Sequence, residues 1–233
     1  MPASSLALLS PRYWPTWIGL ALLRVFAPLP YPVLLTLGRT LGRVLRWLPI
    51  GFVRTARRNL ELCLPDVAAR ERDTLVARHF ESLGIALFET GLAWWASDER
   101  IRSLARIDGL EHLDAALARG SGAILLSAHF TTLEIGARIL AATRPTNIMY
   151  RPTKNALLGE FLSRNRARHT RRAIPRDDIR TLITALKGGE IVWYAPDQSY
   201  RKKGAEMVRF FGVPAATNTI WRSEERRVGK ECR

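Results

Sequence analysis

The sequence predicts an α/β protein: a mixed sheet flanked by helices and preceded by a helical segment that associates with a membrane. Three observations predict it. Short apolar runs at residues 123–127, 147–150 and 191–195 alternate with amphipathic helical stretches, the pattern of a sheet with helices packed on it. Residues 13–38 are apolar and aromatic, with Arg24 their only charge. The chain is 233 residues, 47% hydrophobic and 24% charged, which suffices for one sizeable core and is too apolar for a disordered protein.

The N-terminal stretch comes first. Arg24 splits it into two apolar runs, each shorter than the roughly 18 residues of a clean membrane span. Pro28, Pro30 and Pro32 interrupt helix geometry further. No Lys or Arg precedes Arg12 and no small-residue cleavage site follows, so a secretory signal is a poor match. Behind the apolar run stand Arg39, Arg43, Arg46, Arg54, Arg57 and Arg58, and the first acidic residue is Glu61. An apolar stripe edged by Trp and Tyr and backed by Arg suits the bilayer interface. The alternative is a helical hairpin within a soluble core, and spanning or lying flat stays open.

Along the middle, Asp66 is placed to cap a helix through residues 67–95, in which Phe80, Leu83, Leu87 and Phe88 recur at helical spacing. Residues 111–118 form a second helix, ended by Gly120 and Gly122. The run 123–127 is bounded by glycine and a polar residue and reads as a buried strand. A helical pattern resumes after Thr132 (Leu133, Ile135, Ile139, Leu140) and breaks at Pro145. Residues 147–150 form the next strand. Residues 178–187 form an amphipathic helix, with Ile179, Leu182, Ile183 and Leu186 on one face and Gly188 and Gly189 as its stop. Residues 191–195 complete the strands.

The charge is the unusual feature. Lys and Arg number 36 against 21 Asp and Glu, a net +15, so the expected partner is polyanionic: nucleic acid, acidic lipid headgroups or an acidic carrier protein. Nucleic acid lacks support, because neither a binding motif nor a stacking aromatic pattern is present. Cys63 and Cys232 read as structural or incidental thiols. Neither they nor His79, His112 and His169 fall at metal-ligand spacing, so no metal site is expected.

Residues suited to chemistry gather at strand ends. His129 leaves the carboxyl edge of the first strand, where open α/β sheets place ligands, and Glu134 lies in the first turn or two of the next helix. An imidazole there can serve as a general base near neutral pH, and a carboxylate on its other ring nitrogen fixes the tautomer and favours the imidazolium. Glu134 is expected to be that carboxylate; the alternative is a satisfied core histidine and a helix-end charge. Without a nucleophile elbow or an activated Cys, the base suits a substrate hydroxyl. Downstream, Arg151, Lys154, Arg164, Arg166, Arg168, Arg171, Arg172, Arg176 and Arg180 thicken the basic charge, and several converging forks would bind a phosphorylated headgroup. Some of them form a solvated face. Asp197, after the last strand, is placed to order these arginines or to bond a substrate hydroxyl.

His129-x-x-x-x-Glu134 after an apolar strand, Met149-Tyr150-Arg151-Pro152, Leu186-Lys187-Gly188-Gly189-Glu190 and Val192-Trp193-Tyr194-Ala195-Pro196-Asp197-Gln198 together resemble the late acyltransferases of lipid A biosynthesis, within the lysophospholipid-acyltransferase-like group. Further matches run from residues 11–17 through Tyr31-Pro32-Val33, residues 58–63, Ser82-Leu83-Gly84 and Glu89-Thr90-Gly91 to Ala215-Ala216-Thr217. The resemblance implies a glycerol-3-phosphate acyltransferase-like fold and an inner-membrane enzyme working at the cytoplasmic face. It would move a fatty acyl chain from acyl carrier protein to a hydroxyl of the Kdo-bearing lipid A precursor. His129 would be the general base and Glu134 its partner, with Arg151, Arg166, Arg168, Arg176 and Asp197 as binding positions. The partners would be the carrier protein, whose acyl thioester is the co-substrate, the Kdo-lipid A precursor and an anionic membrane surface, with no metal, nucleotide or other cofactor and no nucleic acid.

On this reading residues 1–60 are a basic membrane-anchoring segment and 61–221 the acyltransferase domain. Residues 222–233 are polar and match nothing in the resemblance, so a foreign tail on a truncated domain is expected there. A thioesterase, with water in place of the lipid hydroxyl, is the nearest rival, and the arginine cluster and apolar segment argue against it.

Overall fold

The computed structural model describes residues 7–48, 51–198 and 205–218. Its first half is helical. Two 3₁₀ turns (Ala7–Leu9 and Pro11–Tyr13) lead into helices α1 (Trp14–Phe26), α2 (Tyr31–Trp47), α3 (Gly51–Cys63), α4 (Ala69–Trp95), α5 (Asp98–Ser103) and α6 (Leu110–Leu117). Strands and helices then alternate: β1 (Ala123–Leu126), α7 (Leu133–Thr143), β2 (Thr146–Tyr150), α8 (Ala156–His169), β3 (Arg172–Pro175), α9 (Ile179–Lys187) and β4 (Ile191–Tyr194). A hairpin of β5 (Ala205–Phe210) and β6 (Val213–Asn218) follows, turning through Phe211 and Gly212, both at positive φ.

The main sheet is four-stranded in the order β1-β4-β2-β3, and all of its pairs are parallel. The expectation of a mixed sheet is therefore corrected: among the described residues antiparallel pairing is confined to the separate hairpin. The βαβ connections impose this, since each crossover helix returns the chain to start the next strand in the same direction. Alternation assigns the faces. Val192 and Tyr194 pack with Met149, Ile174, Leu182 and Ala185 on the α9 side. Ile191 and Trp193 pack with Leu113 and Leu140 on the α6–α7 side.

Prolines end α1 and start α2 rather than kinking a single helix. Pro30 is the N-cap of α2 and Pro32 lies in its first turn, where a missing N–H is harmless. Inner residues of both helices, Leu20 and Leu34, join Leu92, Trp94, Ile101 and Ile135 in one core cluster. The polar bond inside this interface runs from the Tyr31 hydroxyl to Glu89 Oε1 at 2.7 Å. Burial, with the Glu89 hydrogen bond and charge, pushes Tyr31 up to about 12, so it remains a donor at any physiological pH.

Helices α2 and α4 cross at backbone contact. A Cβ on Gly84 would lie 2.0 Å from the Gly38 carbonyl oxygen, and one on Gly42 would lie 2.1 Å from the Phe80 carbonyl oxygen. Two buried or half-buried arginines bind the carbonyls that helices α1 and α4 leave open at their ends. Arg100 donates to the carbonyls of Ala27 (2.9 Å) and Leu29, closing the end of α1. Arg138 of α7, only 4% exposed, donates to the carbonyls of Ala93 (3.2 Å) and Ala96 (3.4 Å) and pairs with Asp98. Asp66 does not cap α4: it lies in the preceding turn, and the N-cap is Ala68, without a side-chain bond.

No helix among the described residues is long and apolar enough to cross a membrane. The expected C-terminal foreign tail, residues 222–233, lies outside the described residues, as does Cys232.

Candidate active site

The site is built on the carboxyl edge of the sheet. Strand β1 ends at Leu126, and the Ser127 N–H donates to the Tyr194 carbonyl at 2.7 Å, extending the β1–β4 pairing by one bond. The chain then turns tightly through Ala128 and Phe130 into α7. His129 lies in that turn. Because β4 inserts beside β1, the segment after it brings Asp197 against His129. The His129 backbone N–H donates to Asp197 Oδ2 at 2.7 Å, and its ring Nδ1 lies 2.6 Å from Oδ1. The two side chains are 38% and 41% exposed, so the pair is open to solvent.

Burial alone would push the Asp197 carboxyl up. Hydrogen bonds from the His129 ring and backbone, together with the imidazolium charge, outweigh it and hold the carboxyl below the ordinary range. Asp197 is therefore an anion at neutral pH, and a proton on Nδ1 faces it. Nε2 is left without a partner among the described residues.

Glu134 does something else. It sits in the first turn of α7 and its Oε1 accepts the Trp94 indole N–H at 3.0 Å. The expectation that Glu134 bonds the second ring nitrogen of His129 is corrected: Asp197 makes that bond. The reason is geometric, since α7 turns Glu134 toward the end of α4, where Trp94 stacks edge-on against Phe161 at 5.0 Å.

The arginines sort by partner. Arg164 pairs with Glu160 one turn away at 2.8 Å. Arg171 and Arg172 share the buried Glu190, at 3.0 and 3.4 Å, at the opposite edge of the sheet, where Asn147 Nδ2 also binds that carboxylate at 2.9 Å. Arg166 differs: its guanidinium lies over the Tyr150 ring, 4.8 Å from the centroid, and it has no acidic partner among the described residues. Arg176 follows β3, and its N–H donates to the Tyr150 carbonyl at 2.8 Å while its Nε lies 3.6 Å from Asp177. Arg151 follows Tyr150 and is exposed, and Arg168 is exposed in the last turn of α8. The structure thus joins His129 with Asp197, and Arg166 and Arg176 with Tyr150.

Sequence reasoning missed Trp94 and Tyr150 as members of the site. Tyr150 lay within a quoted motif, so a signal existed; Trp94 gave none beyond an apolar helix face. Among the described residues no group of three or more His, Cys, Asp or Glu side chains gathers as a metal would require.

The comparisons agree on one family. The family model for bacterial lipid A biosynthesis acyltransferases matches residues 1–227. The chain is 41% identical over 211 residues to a lipid A biosynthesis palmitoleoyltransferase of Escherichia coli, covering 91% of this chain and 69% of the relative. It is 40% identical over 219 residues to a lipid A biosynthesis lauroyltransferase of the same organism, covering 94% and 72%. A Haemophilus influenzae lipid A biosynthesis acyltransferase is 40% identical over 213 residues, covering 91% and 68%.

Proposed function

Because this chain belongs to the bacterial lipid A biosynthesis acyltransferase family, we propose that it transfers a fatty acyl chain from acyl carrier protein to a hydroxyl of a Kdo-bearing lipid A precursor. The observation that carries this reading is the His129–Asp197 pair at an open sheet edge, with Nδ1 committed to a carboxylate and Nε2 without a partner among the described residues. Nε2 takes the proton of the lipid hydroxyl as its oxygen attacks the thioester carbonyl. The tetrahedral intermediate collapses by breaking the C–S bond, and the proton passes from Nε2 to the departing thiolate. One ester forms, one thioester is lost, and the thiol is restored. Asp197 steadies the transient imidazolium and keeps the ring in the useful tautomer. Glu134, fixed by the Trp94 indole, holds the start of α7 against the end of α4, and so supports the turn that carries His129. This chemistry calls for no resident metal or nucleotide.

Arg151, Arg166, Arg168 and Arg176 supply the cationic surroundings for the phosphorylated glycolipid and for the acidic carrier. The enzyme meets its lipid at the cytoplasmic face of the inner membrane, lying at the interface on α1. The outer face of that helix supports this: Trp14, Ile18 and Val25 are 59%, 60% and 67% exposed. Leu9, Trp14, Trp17 and Ile18 line an open apolar hollow of about 500 Å³. The indole N–H groups of Trp14 and Trp17 are spent on the carbonyls of Leu9 and Leu8, at 3.2 and 3.0 Å, so the rings offer apolar surface outward. Arg12 and Arg39, both exposed, suit anionic headgroups.

The test is product analysis by mass spectrometry, with acyl carrier protein thioesters as donors, with and without the glycolipid. Acylated glycolipid formed only when both are present is the expected result. Free fatty acid released at the same rate with or without acceptor would establish a thioesterase instead.

A further inference from the structure

Tyr150 is the last residue of β2, paired in register with Pro175 of β3. Its side chain alternates away from Met149, which packs on the α9 face, and so stands on the opposite side of the sheet. There it meets Arg166 of α8, whose guanidinium carbon is 4.8 Å from the ring centroid. Its carbonyl meanwhile accepts the Arg176 N–H at 2.8 Å. One residue thus touches two of the arginines at this edge.

Arg166 is half-buried, yet no acidic side chain among the described residues neutralises it. Arg164 by contrast is matched by Glu160 and Arg171 and Arg172 by Glu190, while Arg168 is in solvent reach on the exposed side of α8. A cation over a ring face is held by the ring quadrupole while the N–H donors in the guanidinium plane are left unspent. A planar fork that is anchored, partly desolvated and without a counter-ion suits a tetrahedral oxyanion.

From this we infer that Tyr150 is a positioning residue: its ring presents the Arg166 fork to the phosphate ester of a substrate. The inference rests on the reading above that Arg166 serves the substrates. The phosphate has two possible sources, the glycolipid acceptor and the phosphodiester of the carrier's prosthetic arm. The shared chemistry is a phosphate ester bound by an arginine whose orientation is set by an aromatic platform.

The experiment uses the full chain with Tyr150→Phe, Tyr150→Leu, Arg166→Gln and the Tyr150→Leu/Arg166→Gln double variant. Binding of inorganic phosphate at low salt is measured first by calorimetry. Tyr150→Phe keeps the ring and binds like wild type, whereas Tyr150→Leu and Arg166→Gln each weaken binding about tenfold, in the range of a partly desolvated cation–π contact. The double variant is no weaker than Arg166→Gln alone, because Tyr150 acts through Arg166. Wild-type binding by Tyr150→Leu, equal loss in Tyr150→Phe, or additive losses in the double variant would each overturn the inference. KM values are then measured for donor and acceptor separately. A rise in one of them in Tyr150→Leu, with kcat within twofold of wild type, identifies the phosphate's source. A fall in kcat with both KM values unchanged counts against a positioning role. Should wild type transfer no acyl group, the proposed function fails, while the phosphate measurements still decide the role of Tyr150.

Discussion

Asp197 holds His129 at two points, its Oδ2 on the backbone N–H at 2.7 Å and its Oδ1 against ring Nδ1 at 2.6 Å. One carboxylate thereby fixes both the turn after β1 and the orientation of the imidazole. It reaches them because β4, which precedes it, is inserted between β1 and β2. The acid and the ring lie far apart in the chain and become neighbours only through strand order.

The first expectation concerns the base itself. His129→Ala should lower acyl transfer by about 100- to 10,000-fold, the usual cost of a lost general base. Sedimentation with anionic vesicles should be unchanged, because the α1 face is untouched. Turnover near wild type in this variant would remove His129 from the chemistry.

The α2–α4 crossing gives a stability prediction. A methyl group at Gly84 would sit 2.0 Å from the Gly38 carbonyl oxygen, and backbone on both sides leaves nothing flexible to yield. Gly84→Ala should therefore cost about 3 kcal/mol by forcing the helices apart. Urea denaturation of the two proteins measures it, and an unchanged midpoint would mean that the helices do not approach so closely.

Acid should destabilise the fold through its histidines. Burial holds both His79 and His169 below the ordinary imidazole range, and the Arg138 charge adds to the effect at His169. Such a group binds its proton more weakly folded than unfolded. Stability is then lost as pH falls below the unfolded value of about 6.5. The thermal midpoint should drop between about pH 7 and pH 5, and His169→Asn should flatten that drop. An identical slope in the variant would place the sensitivity elsewhere.

The α1 face carries its own test. Replacing Trp14 and Trp17 together by Ser should reduce binding to phosphatidylglycerol vesicles by about tenfold or more, equivalent to about 1.4 kcal/mol. The fold should stay intact, since both rings are exposed, at 59% and 41%. Undiminished binding would move the membrane contact away from α1.

The periodic elements were legible. Helix α9 was expected at residues 178–187 and runs Ile179–Lys187, with Asp178 accepting the Thr181 N–H at 3.1 Å as its cap. Strands β1, β2 and β4 fell within a residue of their expected bounds, because their apolar runs are flanked by glycine or proline. Strand β3 and helix α8 were not foreseen. Arg172–Pro175 is only four residues long, with an arginine at one end and a proline at the other, and the arginines crowding α8 obscure any apolar stripe. Within the site, His129 and Asp197 were both singled out, but their pairing was not. It follows from the order β1-β4-β2-β3, whereas neighbourhood in the chain favoured Glu134. The motif residues also divide in a way that sequence does not display. Tyr31, Glu89, Gly84 and Glu190 hold helices and strands together, while His129 and Asp197 face solvent at the sheet edge.

The most direct measurement of the central claim compares kcat for Asp197→Asn and Glu134→Gln in the same transfer assay. Asparagine at 197 cannot offer the charge that steadies the imidazolium, so transfer should fall by about 100-fold or more, as when the carboxylate partner of a catalytic histidine is lost. Glutamine at 134 can still accept the Trp94 indole N–H and should cost no more than about tenfold, the scale of a partner acting at a distance. The reverse order, with Glu134→Gln crippling the enzyme and Asp197→Asn nearly silent, would contradict the account.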